Sequence, residues 1–225
     1  ICGLRTFPHA AHGLSEGQLN EIASGNLHEL GSEWRETASR ARQYASGDLH
    51  DPAALDGVLD GAYFRHYHAL GVSLGAPALT EWIVMRVLGR AVTALWRAGR
   101  AGHALAAYRQ HFLPVNGCGK VLEALMESPE PASWEAILPR PFNDLFRSAL
   151  EMPDQEQVAC FERLCSDHLT QLVRRSRAQV TGPERVAGYL WGLAVETFNL
   201  RLVISGRLNG IESDLLKGRV RACYV

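Results

Sequence analysis

The sequence predicts an all-α protein with about ten helices. Helix-start signals recur along its 225 residues: Ser, Asp or Pro stands ahead of apolar residues that follow the three-to-four-residue spacing of a helix face. No run of β-branched residues alternates with the period of two that marks a strand. The hydrophobic content of 47% and the charged content of 21% are those of a folded globular chain. The net charge of −1 argues against a nucleic-acid-binding protein, which usually carries a basic excess.

The helix starts are polar caps or prolines at the first helical position. In chain order they are Ser15, Ser32, Asp51-Pro52, Pro77, Pro131, Asp154 and Pro183. We expect the helix that starts at Pro77 to end near Ala98, and the last long helix to end with Gly206 in the C-cap position. The two most apolar stretches, 83–96 and 186–204, are broken by charged side chains. They are therefore interpreted as buried helices and not as membrane spans.

Charge alternates along the chain in a way that indicates an internal duplication. Residues 1–60 carry a net charge of −5 and residues 61–110 one of +5, and the pattern repeats with −6 over 111–170 and +5 over 171–225. A Gly-Arg pair also follows each long apolar stretch. We therefore expect two related helical units, residues 1–110 and residues 111–225.

The sequence offers no pattern typical of catalysis, cofactor binding or metal binding. The segment 115–120 contains G-x-G-K, but it lacks the first glycine of a P-loop and a preceding strand. His66 and His68 are two residues apart, which on a helix points them away from one another. The five cysteines form no C-x-x-C motif and are interpreted as reduced thiols. We expect no catalytic residue, no cofactor and no metal.

Three polar residues stand out in the apolar stretch 186–204: Glu196, Asn199 and Arg201, of which Arg201 points away from the other two. Glu196 and Asn199 are three residues apart and are expected to share a helix face, where burial would require partners for both. A buried hydrogen-bonded tie between helices is the first interpretation, and a contact with a partner protein is the second. The alternatives are a small all-α enzyme that uses Glu196 as general acid or base, and a helical scaffold of another kind.

The C-terminal third resembles a known family. The run E-T-F-N-L-R begins at Glu196, a Gly-Arg-x-x-Gly turn follows, and the chain ends in Tyr-Val. This pattern is similar to the C-terminal signature of the C subunits of V-type (A-type) ATP synthases, which are the equivalents of the d subunits of vacuolar ATPases. The matching positions are Glu196, Asn199, Leu200, Arg201, Gly206, Arg207, Gly210, Arg221, Tyr224 and Val225. In the first half the match is looser, because Leu88 and Ala91 stand where the family's middle repeat has an Asp and an Asn.

The resemblance implies a mechanical function. Members of this family form a funnel or socket of three related helical units around a pseudo-threefold axis. The socket lies on the cytoplasmic face of the membrane rotor, where its partners are the central-shaft subunits and the proteolipid ring. It carries out no bond chemistry, needs no cofactor, and is peripheral to the membrane through the complex. The expected function is therefore that of a rotor adaptor in ATP-linked ion transport.

The resemblance also raises an expectation about the length of the gene. The family has three helical units, whereas two are predicted here, and the chain begins with Ile1 and not with Met. We expect the native reading frame to extend upstream by roughly 100 codons of further amphipathic helix. Removal of a neighbouring unit would leave an apolar edge exposed or covered by a second copy of the protein.

Overall fold

The computed structural model describes residues 32–45, 52–105, 118–128, 130–178 and 181–224, and these residues form an all-α protein. They contain nine α-helices and two short 3₁₀ helices, and no strand occurs among them. The α-helices are α1 (Ser32–Ala45), α2 (Pro52–Ser73), α3 (Pro77–Arg100), α4 (Gly119–Glu127), α5 (Trp134–Ile137), α6 (Phe142–Leu150), α7 (Asp154–Arg174), α8 (Pro183–Leu208) and α9 (Ser213–Arg219). The 3₁₀ helices are Pro131–Ser133 and Arg175–Ala178.

Most of the predicted helix starts are confirmed. Pro52, Pro77 and Pro183 each open a long helix, where the missing N–H of proline costs no hydrogen bond. Pro131 opens a 3₁₀ turn that leads into α5. The helix expected after Ser15 lies outside the described residues. None of the described helices combines the length and the apolar character that a membrane crossing requires.

The chain separates into two compact units, residues 1–62 and residues 63–225. In the described part of the first unit, α1 and the start of α2 contain the buried side chains Thr37, Val58 and Ala62. The expected division into related units near residue 110 falls among residues 106–117, which lie outside the described part, so it stays a prediction.

The core of the second unit is built around α7, which packs against α3, α6 and α8. Three aromatic side chains meet where α3, α6 and α7 come together, and each is almost completely buried: Trp96, Phe146 and Phe161. The ring centroids of Trp96 and Phe146 lie 4.5 Å apart, and those of Phe146 and Phe161 lie 5.6 Å apart in an edge-to-face contact. Such pairs are favoured beyond the area that they bury.

A second apolar cluster joins α3, α7 and α8. The Trp82 and Trp191 rings meet edge to face with centroids 5.3 Å apart. The Arg86 guanidinium carbon lies 5.2 Å from the centroid of one ring and 5.4 Å from that of the other. The Trp191 Nε1–H donates to Thr170 Oγ1 on α7 at 3.0 Å. The polar edge of this indole is thus satisfied while its apolar body fills the space between helices.

The cysteines of the described residues are free thiols, as the sequence analysis predicted. Cys118 and Cys165 lie in the core, whereas Cys160 is half-buried and Cys223 is exposed. Burial raises the pKa of the Cys118 thiol to about 11 and raises that of Cys165 as well, because an apolar environment disfavours the thiolate. The two core cysteines therefore act as small apolar residues.

The prediction that Gly206 caps the last long helix is wrong. Helix α8 continues through Gly206 to Leu208, and the turn is made by Gly210, whose φ of +69° favours glycine. Gly206 is buried under the side chain of Leu216 on α9, and a Cβ at this position would collide with that side chain. Its small size is thus needed for helix packing.

Candidate functional site: the docked C-terminal segment and the outer face of α8

After α9 the chain continues without regular structure along α7 and α8. We refer to residues 220–224 as the C-terminal segment. The Val220 N–H still bonds to carbonyls of α9, but the following residues are in no helix or sheet, and their backbone groups need other hydrogen bonds where they are removed from water. Side chains of α7 and α8 supply these hydrogen bonds.

Asn199 on α8 pairs with both backbone groups of one residue in the C-terminal segment. The Arg221 N–H donates to Asn199 Oδ1 at 3.0 Å, and Asn199 Nδ2 donates to the Arg221 carbonyl oxygen at 2.9 Å. A carboxamide is suited to this position, because it offers a donor and an acceptor side by side.

Asp167 on α7 accepts the next amide of the segment. The Ala222 N–H donates to Asp167 Oδ1 at 2.7 Å, and Arg163 lies 3.4 Å from the other carboxylate oxygen. Further along α7, the Arg174 guanidinium donates to the carbonyl oxygens of Cys223 and Tyr224. Charged donors and acceptors form stronger hydrogen bonds than neutral ones, so the segment is held firmly at these three consecutive residues.

The Tyr224 side chain lies on two glycines of α8. A Cβ placed on Gly192 would lie 2.7 Å from Tyr224 Cβ, and a Cβ on Gly188 would lie 3.1 Å from the Tyr224 hydroxyl oxygen. The Arg177 guanidinium carbon lies 5.8 Å from the centroid of the tyrosine ring. The two glycines thus create a slot that only a helix without side chains at these positions can provide.

Arg221 is held by its side chain as well as by its backbone. Its guanidinium carbon lies 3.5 Å from the centroid of the Phe198 ring. Burial lowers the pKa of the Arg221 guanidinium, and the carboxylates of Glu162 and Asp167 oppose this shift. Since arginine stays protonated in proteins, a cation lies against the Phe198 ring, and the two carboxylates favour its charge.

The outer face of α8, opposite the C-terminal segment, is apolar and exposed. Its large aliphatic side chains are between 42 and 81% exposed, whereas in most helices of a globular protein such residues lie on the face that packs against the core. We call this set the apolar stripe: Val186, Leu190, Leu193, Leu200, Ile204 and Leu208. Several large apolar side chains exposed on one helix face are unusual on a monomeric protein and are typical of an interaction surface.

Residues 14–219 match the model of the ATP synthase (C/AC39) subunit family. This match covers most of the chain. The chain belongs to the ATP synthase (C/AC39) subunit family.

A relative with a curated name agrees with this assignment. The C subunit of the V-type sodium ATPase of Enterococcus hirae is 24% identical over 172 residues, which cover 76% of this chain and 52% of the relative. The chain thus spans about half the length of this relative. No solved structure matches the chain.

The structure separates the residues of the C/AC39 family signature into two groups. Four take part in docking the C-terminal end of the chain: Asn199, Gly206, Arg221 and Tyr224. Gly210 makes the turn after α8. Four others are exposed: Glu196, Leu200, Arg201 and Arg207. Val225 lies outside the described residues.

The prediction that Glu196 and Asn199 form one buried tie is wrong for Glu196. Three residues along a helix correspond to a rotation of about 60°, which is enough to bring Asn199 onto the C-terminal segment while Glu196 stays exposed. A tie therefore does exist, but Asn199 makes it with the backbone of residue 221 and Glu196 takes no part.

Four residues that hold the segment were not predicted from the sequence. They are Asp167, Arg174, Gly188 and Gly192. The spacing Gly-x-x-x-Gly in α8 was the available signal, because two glycines four residues apart leave a smooth patch on one helix face. The contact between Asp167 and residue 222 joins positions 55 apart and has no local signal.

We expect Asn199→Ala to loosen the C-terminal segment. Both hydrogen bonds to residue 221 are lost, at a cost of about 1–2 kcal/mol in the free energy of docking. Trypsin should then cleave after Arg221 faster than in the wild type, as measured by mass spectrometry of the shortened chain. Asn209→Ala is the matched control, because Asn209 bonds only to its own helix end. Equal cleavage rates in all three proteins would contradict this description of the segment.

We also expect opposite effects from two glycine substitutions. Gly192→Ala places a Cβ 2.7 Å from Tyr224 Cβ, so the segment must shift, which should lower the free energy of unfolding by about 1–3 kcal/mol. In Gly218→Ala on α9, the new Cβ has no atom within 4 Å, so the free energy of unfolding should stay unchanged or rise by up to about 1 kcal/mol. Urea denaturation measures both. An equal loss of unfolding free energy in the two variants would show that the slot for Tyr224 does not require glycine at position 192.

Proposed function

We propose that the chain works as a non-catalytic rotor adaptor in a rotary V/A-type ATPase, where it couples the central shaft to the proteolipid ring for ATP-linked ion transport. The observation that carries this proposal is the match to the C/AC39 subunit family over residues 14–219. The relative named above, which belongs to a V-type sodium ATPase, supports it. The expected socket of three related helical units around a pseudo-threefold axis, on the cytoplasmic side of the membrane, is part of the proposal.

The packing of the second unit suits the transmission of torque. A coupling element must resist deformation, and close-packed protein interiors have low compressibility. Helix α7 is fixed to α3 and α6 by fully buried aromatic rings and to α8 by the docked C-terminal segment. On the surface, Arg97 of α3 pairs with Glu162 of α7 at 2.8 Å, and Arg100 pairs with Asp154 at 2.5 Å. The long helices are therefore held to one another at several points along their length.

The second unit exposes charged and apolar groups that are suited to contacts with partner proteins. Residues 171–225 carry a net charge of +5 and include the apolar stripe. Positive surfaces attract acidic partner surfaces, and apolar patches supply binding energy where water is excluded. The shaft subunits and the proteolipid ring are the partners that the proposal assigns to this protein.

The structure gives less support to an enzyme that uses Glu196 as general acid or base. Such a residue works in an enclosed site that holds it against substrate and excludes water. Glu196 lies exposed on α8. Within the described ranges, no three His, Cys, Asp or Glu side chains lie close enough together to hold a metal ion that would assist it. The adaptor is therefore favoured.

Purification from native membranes tests the proposal. The full-length protein that contains this chain, carrying an affinity tag, should co-purify with the ATP-hydrolysing head, the shaft and the proteolipid ring, as identified by mass spectrometry. The isolated chain should bind neither ATP nor ADP in calorimetry. The matched control is the same tagged protein with Gly192→Ala, which should bring down less of the complex if the docked segment supports assembly. Recovery of the wild-type protein alone, or saturable nucleotide binding by the isolated chain, would contradict the proposal.

A further inference from the structure

The groove between α7 and α8 holds the C-terminal segment through the backbone of the segment. Asn199 pairs with the N–H and the carbonyl oxygen of residue 221, and Asp167 accepts the N–H of residue 222. Arg174 donates to the carbonyl oxygens of residues 223 and 224. Main-chain groups are the same in every peptide, so these contacts fix the path of a bound chain without selecting its sequence.

Two side chains of the C-terminal segment supply the sequence selectivity. The Tyr224 ring lies in the slot over Gly188 and Gly192, where a larger residue on α8 would collide with it. The Arg221 guanidinium lies against the Phe198 ring, with its carbon 3.5 Å from the ring centroid. Tyrosine and arginine are among the side chains that most often dominate the affinity of a protein interface. The two positions are therefore the anchors of the segment.

The two positions between these anchors are less demanding. Cys223 is exposed, and its sulfur has a weak contact with Asn199 Nδ2 at 3.8 Å. Residue 222 is an alanine and offers only a methyl group. At the arginine position the carboxylates of Glu162 and Asp167 favour a cation, so charge is specified as well as shape. The groove thus reads the pattern Arg-x-x-Tyr.

Contacts that do not involve the C-terminal segment also hold the groove together. The Trp191 Nε1–H of α8 donates to Thr170 Oγ1 of α7 at 3.0 Å. Just beyond the end of α7, the Arg177 carbonyl oxygen accepts a hydrogen bond of 3.0 Å from the Arg185 guanidinium of α8. We therefore expect the groove to keep its form when the segment leaves. A site that is formed in advance binds a peptide at a lower cost in reorganisation.

We propose that this groove is a peptide-binding site for the pattern Arg-x-x-Tyr. The chain's own C-terminal segment fills it in the structure, and a segment of another protein with the same pattern takes its place once the C-terminal segment is released. Residue 220 follows α9 directly, so the C-terminal segment is tethered close to the groove, at an effective concentration on the order of millimolar. A competing peptide must reach a similar concentration or meet a chain whose own segment is weakened. This inference goes beyond the adaptor function and does not depend on it.

A full chain with a weakened C-terminal segment tests the site directly. Arg221→Ala combined with Tyr224→Ala removes both anchors of the segment and leaves every groove residue in place. A fluorescein-labelled peptide with the sequence of residues 220–225 should bind this double variant saturably, with a dissociation constant of about 0.1–1 mM by fluorescence anisotropy. The wild-type chain should bind the peptide about tenfold more weakly, because its groove is occupied. Circular dichroism checks that the double variant keeps its helix content.

Altered peptides and a groove variant test the pattern. Labelled peptides that carry Arg221→Ala or Tyr224→Ala should each bind the double variant at least about tenfold more weakly than the unaltered peptide. Asn199→Ala, added to the double variant, should weaken binding about tenfold, because two hydrogen bonds to the peptide are lost. Asn209→Ala is the matched control for this addition and should leave the affinity unchanged, because Asn209 bonds to its own helix end.

Amide NMR of the wild-type chain gives a second readout that needs no change in its sequence. Unlabelled peptide at about 10 mM should displace the C-terminal segment of an isotope-labelled chain. The amide signals of Arg221 and Ala222 should then move toward the positions that they have in an unstructured peptide, because both lose their partners in the groove.

Absence of saturable binding by a folded double variant would overturn the inference. Should that variant lose its helix content, unmoved amide signals in the wild-type chain would overturn it instead. Equal affinity for the unaltered and the altered peptides, or for the chains with and without Asn199→Ala, would show that the groove does not read the pattern. Equal affinity of the wild-type chain and the double variant would place the peptide elsewhere on the surface and would also contradict the inference.

Discussion

The rest of the second unit depends on the requirement that α7 pack on two sides at once. On one side Phe161 lies in a fully buried aromatic contact with Trp96 and Phe146, which fixes α7 relative to α3 and α6. On the other side Thr170 receives a hydrogen bond from Trp191, and Asp167 receives the backbone of the C-terminal segment. Apolar burial is non-directional whereas hydrogen bonds are directional, so the aromatic contact holds the helices together, and the hydrogen bonds beside the second apolar cluster restrict how α8 is placed.

Helix α8 reverses the usual arrangement of an amphipathic helix. Its inner face carries Gly188, Gly192 and Gly206, which let the C-terminal segment and α9 approach closely, and most of its large aliphatic residues face outward. The helix is thus held in place by close contact and backbone hydrogen bonds, while its apolar surface stays available. This division matches the two groups within the family signature, since one group docks the end of the chain and the other is exposed.

The fold class and most helix starts could be predicted, because Pro and Asp at a helix start act through chemistry within a few residues. The role of Gly206 could not, because a capping glycine and a packing glycine look alike until the position of Leu216 is known. Glu196 was misplaced for a related reason. Apolar residues occur on both faces of α8, so the sequence does not indicate which face is buried. The role of Asp167 could not be predicted either. It depends on a contact with residue 222, which is 55 positions away, and local sequence patterns carry no information about such a contact.

The central claim is that the C-terminal signature of this chain docks its own end onto α7 and α8. Amide hydrogen exchange of the intact chain, followed residue by residue with NMR, tests it most directly. The amides of Arg221 and Ala222 donate to Asn199 and Asp167, so both are expected to exchange far more slowly than in an unstructured peptide of the same sequence. Exchange of these two amides at the rate of the unstructured peptide, with α7 and α8 still protected, would contradict it.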